Sequence, residues 1–121
     1  MDLLEITANL LHACDQAIHR FYDMRERDME PDFFKEVKPY ADDMRTQLQQ
    51  WQQLAYEWIT AKQPKYMHKQ QIDHAYDAME QFFVQSFYKQ TSKKRFIQSV
   101  ESTKYTLTSL KRYVEEGEHH V

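Results

Sequence analysis

The sequence predicts an all-α fold: an up-and-down antiparallel four-helix bundle, in a single domain over residues 1–121. Three observations carry this. The 121 residues include 1 glycine and 3 prolines, too few turn formers for a many-stranded sheet. Apolar residues recur at spacings of three and four along four stretches, the period of helices with one buried face. The links between these stretches are short, about residues 26–30, 62–67 and 89–92, and short links make successive helices antiparallel neighbours. A chain of this length suits one domain with one core. Its 41% hydrophobic and 14% aromatic residues set it apart from disordered chains.

The first helix is expected over about residues 2–25, with Leu3, Thr7, Leu10, Cys14, Ala17 and Phe21 on one stripe. Leu4, Leu11, Ile18 and Tyr22 widen that stripe, to close the bundle or to pair two copies of the chain. The second is expected over about residues 31–61, where Phe33, Val37, Tyr40, Met44, Leu48, Trp51, Ala55 and Trp58 line up. Pro39 lacks the N–H of an internal helix bond, so a kink near 39, or a short helical turn before the main helix, is expected. The third is expected over about residues 68–89, with Ile72, Tyr76, Met79, Phe83 and Ser86 inward. It opens within "KQPKYMHKQQIDH", residues 62–74. There His68 serves as N-cap, Gln71 reaches back to it, and Met67 and Ile72 have the spacing of a hydrophobic staple. Pro64 stops the preceding helix. The fourth is expected over about residues 92–116, with Phe96, Val100, Thr103, Leu107, Leu110 and Val114 inward. Ser92 is its N-cap and Gly117 its C-terminal cap.

Charge and composition exclude several functions. A net charge of -3 and a pI near 6.0 supply no basic field for nucleic acid or an anionic membrane. No apolar run approaches the roughly 18 residues of a membrane span. The lone Cys14 has no disulfide partner, and the first residues carry acids where a signal peptide carries bases. These features lead to an expected cytoplasmic location. No cofactor or metal is expected, because no central stripe position is Glu, Asp or His. His12, His19 and His74 point away from their stripes. His12 and His19 share an outer face with Asp15 but stand seven residues apart, about 10 Å along the axis, too far for one ion. Cys14 sits on the core stripe as a small apolar residue. There is no catalytic triad pattern, nucleophile elbow or phosphate loop.

Binding candidates remain at both ends. In "KQPKYMHKQQIDH", capping leaves Lys62, Lys65, Tyr66 and Lys69 unexplained. In "TSKKRF", residues 91–96, the cations Lys93, Lys94 and Arg95 fill a first helical turn, where the macrodipole favours negative charge. Either an anion relieves them, or the five acids of "DMRERDMEPD", residues 23–32, neutralise Lys89 to Arg95. Tyr105 lies opposite the fourth helix's stripe, with Lys94, Gln98, Glu101, Ser109 and Arg112 on the same outer face. Tyrosine and arginine are enriched at interfaces. The expected contact residues are therefore Lys65, Tyr66 and His68 at one end, and Lys93, Lys94, Arg95 and Tyr105 on the fourth helix. The reading is a non-catalytic protein-interaction module with an unidentified protein partner, or a second copy of itself. A metal- or small-ligand-binding bundle enzyme is the alternative, and the missing inward ligands count against it.

Four segments also carry a resemblance: "DFFKEVKP" (residues 32–39), "KQPKYMHKQQID" (62–73), "QSFYKQTSKKRF" (85–96) and "ESTKYTLTSLK" (101–111). On these the chain resembles the YppE-like family of small bacterial proteins of unknown function. The first helix matches mainly in its apolar pattern. The resemblance implies a four-helix bundle in the cytoplasm of a Gram-positive bacterium, and it brings no catalytic or binding residues to transfer.

Overall fold

The computed structural model describes residues 1–119, with side chains described for residues 1–117. Helix α1 spans Leu3–Glu26, α2 Lys38–Lys62, α3 Lys69–Gln85 and α4 Lys93–His119, and a π-helical turn at Phe33–Val37 precedes α2. Each helix packs on the next, and α4 returns to pack on α1, which closes an all-α antiparallel bundle. The links between α1 and α2 and between α3 and α4 therefore lie at one end. The link between α2 and α3 lies at the other, beside the C-terminal half of α4.

Local chemistry sets the boundaries. Asp2 starts α1 by accepting the Glu5 N–H at 2.8 Å. Asp32 starts the π turn as a reciprocal cap: its side chain accepts from the Lys35 N–H at 3.0 Å, and its own N–H donates to Glu36 at 2.8 Å. Pro39 falls in the first turn of α2, where a missing N–H is no loss. The expected inward position of Phe33 is corrected here. The i→i+5 spacing of the π turn shifts the helical phase, so Val37 is buried while Phe33 and Phe34 are 47% and 77% exposed. Helix α2 ends at Gln63, which takes the left-handed conformation at φ 46° and donates its N–H to the Ile59 carbonyl at 2.8 Å.

The N–H of His68 donates to Gln71 at 2.8 Å, and Met67 and Ile72 are buried together. Helix α3 stops at Gln85, short of the expected residue 89. The Ser86 hydroxyl donates to the Phe83 carbonyl at 2.7 Å, and the Phe87 and Tyr88 N–H groups bond three residues back, tightening the last turn until the helix ends. Gly117 does not cap α4 as expected. The helix runs through it to His119, and the glycine has no positive φ to offer a left-handed cap.

The core is the predicted set of stripes without Phe33, with Tyr40, Trp58 and Tyr76 only partly buried against it, and widened by Ile6, Ala13, Ala75 and Phe82. Leu4, Leu11 and Ile18 of the expected flank pack against it, while Tyr22 is 44% exposed. Among the described residues, the buried polar side chains are Thr7, Ser86, Thr103 and Ser109. Thr7 accepts the Trp51 indole N–H at 3.1 Å and ties α1 to α2. Arg20 lies between the rings of Tyr40 and Phe87, each 4.4 Å from its guanidinium carbon, and donates to Ser86 at 2.8 Å. No described helix is long and apolar enough to cross a membrane.

Candidate functional site

The end that holds the α2–α3 link carries a groove. The last turns of α2 contribute Trp58 and Lys62, the link contributes Pro64, Lys65 and Tyr66, and the end of α4 contributes Tyr113 and Glu116 around a cavity of about 340 Å³. Tyr66 and Tyr113 also border a second cavity of about 250 Å³, lined further by Met67, Gln71, Tyr105, Thr106 and Ser109. Tyr66 and Tyr113 line both cavities, so the two lie side by side as an aromatic trough. On this lining Tyr66 and Tyr105 are 62% and 76% exposed. Lys65 sits 5.3 Å from the Tyr66 ring centroid, and Arg112 sits 5.2 Å from that of Tyr113.

Of the residues expected to bind, the structure brings Lys65, Tyr66 and Tyr105 to this trough. His68 is exposed and caps α3 without lining it. Ser109, expected on the outer face with Tyr105, is buried instead, because the link folds over that part of α4. Trp58 and Tyr113 are lining residues that stripe counting missed. Trp58 continues the α2 stripe, but it lies in the last turns of the helix and is only partly buried against the core. Tyr113 adjoins the stripe residue Val114, and a partly covered ring at that angle is the signal that could have found it.

Lys93, Lys94 and Arg95 lie elsewhere. Tyr105 is twelve residues beyond Lys93 on α4, about 18 Å along the axis. Lys93 and Lys94 border an open depression with Tyr22, Ile97 and Gln98, and Lys93 sits 5.5 Å from the Tyr22 ring centroid. The acidic first link does meet this end, but it engages Lys89. Asp28 and Glu30 lie 2.5 Å and 3.7 Å from the Lys89 ammonium. The Lys89 hydrogen bond and charge hold the Asp28 carboxyl below its usual range. Among the described residues, Lys93, Lys94 and Arg95 make no ion pair with that link.

The other chemistry-bearing groups are dispersed or engaged. Cys14 is fully buried, and its thiol is pushed up to about 12, first by burial and then by the charge of Asp15. Asp15 is paired with Lys104 at 2.7 Å, which ties α1 to α4. Among the described residues, no three of His, Cys, Asp and Glu gather where an ion would sit. The sequence "EGEH", residues 116–119, lies partly outside the described side chains. Between α2 and α3, Asp73 accepts hydrogen bonds from Tyr56 and from Gln52, the latter at 2.9 Å, and the bond to Asp73 raises the Tyr56 phenol above its usual range.

Known proteins share this fold and much of this sequence. The uncharacterized protein YppE of Bacillus subtilis is 31% identical over 109 residues, which cover 90% of this chain and 89% of that protein. The crystal structure of YppE superposes with a TM-score of 0.93 at 29% identity, covering 98% of this chain and 96% of the other. A protein of unknown function from Listeria innocua superposes with a TM-score of 0.91 at 28% identity, covering 98% and 95%. A family model described as a bacterial domain of unknown function, DUF1798, matches residues 7–114. By that match, and by its identity to YppE over nine-tenths of its length, the chain belongs to the DUF1798 family.

Proposed function

We propose that this chain is a non-catalytic protein-interaction module of the cytoplasm, and that it docks a partner protein in the trough between the α2–α3 link and α4. The observation that carries this reading is the pair Tyr66 and Tyr105. These two rings, 62% and 76% exposed, line one cavity, and Tyr66 also lines the adjoining one together with Trp58. Large amphipathic rings with few rotatable bonds are the side chains from which binding hot spots are built. The packed apolar interior and the sealed Cys14 support a scaffold that presents a surface over one that performs a reaction.

Two variants in the native host test this. Tyr66→Ala with Tyr105→Ala should release the co-purifying partner, with helical circular dichroism unchanged. Lys93→Gln, Lys94→Gln and Arg95→Gln together should retain it. If the tyrosine pair retains the partner and the basic triple releases it, the docking surface is the other end of the bundle and the reading fails.

A further inference from the structure

We propose that the trough takes an extended, acidic, proline-bearing segment of its partner; this rests on the reading of the trough as a docking surface. Charge complementarity points to the acidity. Lys62 and Lys65 line the trough and make no ion pair among the described residues. Glu116, the acid on the lining, is 3.9 Å from Arg112 and so is already opposed by a cation. In a chain with a net charge of -3, the described residues that line this cleft thus carry two cations against one acid. Such rim charges select partners of opposite sign and speed their encounter more than they hold the complex.

Lining and length point to an extended, proline-bearing segment. The lining runs along α4 from Tyr105 to Gly117, about 18 Å at the helical rise. A polyproline II segment advances about 3.1 Å per residue and would fill it with about six residues. Such a segment has no internal hydrogen bonds, so its carbonyls seek outside donors. The hydroxyls of Tyr66, Tyr105 and Tyr113 and the indole N–H of Trp58 are donors of that kind. Aromatic side chains lining a groove are the surface on which proline rings pack, and such segments dock with little ordering to pay for in entropy.

The test uses the full chain, labelled with nitrogen-15, and three ten-residue peptides. One consists of prolines with glutamate at every third position. The second has lysine in place of glutamate, and the third has glycine in place of proline. The first should shift the Trp58 indole signal and the amides of Tyr66, Tyr105 and Tyr113, and bind at least tenfold tighter than the second. Its affinity should fall as salt rises. Lys62→Glu with Lys65→Glu, both at exposed positions, should invert the preference between these two peptides. The third peptide should bind several-fold more weakly than the first. Equal affinity for the acidic and basic peptides, or shifts centred on Lys93 to Ile97, overturns the proposal. If no peptide binds while the Tyr66 and Tyr105 pair still governs partner retention, the occupant is wrong and the docking surface stands. If that pair has no effect on retention, the docking surface falls, and the proposal with it.

Discussion

Trp51 and Trp58 stand seven residues apart on one stripe of α2, yet their surroundings give them different roles. Trp51 has no exposed surface, and its indole N–H is satisfied by Thr7. Thr7→Val keeps the shape and leaves that donor unpaired in the core, which should lower stability by about 1–3 kcal/mol in urea unfolding. Tyr105→Ser, at a 76% exposed position, should change it by less than about 0.5 kcal/mol. The buried thiol of Cys14 makes a pH-dependent prediction. Its pKa rises from about 9 to about 12 on folding. In that window the unfolded chain releases its proton first, so the folded state holds more protons and stability falls as pH rises. Denaturation across the window should show a shallower alkaline decline for Cys14→Ala than for the parent chain, although the variant starts lower because it leaves a cavity. Parallel curves would contradict this.

Periodicity located the helices at the element scale, and it failed where the period itself changes. The central positions of the α1 and α4 stripes were legible because both are regular helices that meet neighbours along their length, while Ile6, Ala13 and Ser109 are buried beside those stripes. Phe33 was misplaced because the π turn is not a 3.6-residue repeat, and Asp32 and Pro39 signal a helix start without saying which kind. The end of α3 was placed late because Phe87 remains buried and Tyr88 half-buried, so the apolar pattern continues past the last helical hydrogen bond. The α2 terminus carries strain that a substitution can measure. Gln63 holds φ 46° at a position glycine fills without a Cβ penalty. Gln63→Gly should therefore raise stability by about 1 kcal/mol. A lower melting temperature would show that the Gln63 side chain contributes more than its backbone costs.

For the whole molecule, topology decides which candidate residues meet. Lys65 and Tyr66 stand about 40 positions before Tyr105 in sequence and share the trough with it, because the α2–α3 link lies beside the C-terminal half of α4. Lys93 to Arg95 lie nearer to Tyr105 in sequence but about 15–18 Å away along the helix. Tyr105 was legible as exposed from its helical angle, and Tyr66 stood out as a link residue that capping leaves unexplained. Their grouping was not, since it depends on how the link folds over α4. Trp58 was hidden by its place on a core stripe. The central claim, that this trough is where a partner docks, is tested most directly by a photo-crosslinking phenylalanine analogue placed at Tyr105 in living cells, with Gln50 on the exposed face of α2 as control. The account predicts a discrete protein adduct at Tyr105, lost when Tyr66 is changed to alanine, and no such adduct at Gln50. Matching patterns at the two positions, or an adduct at Tyr105 that is indifferent to Tyr66, would contradict it.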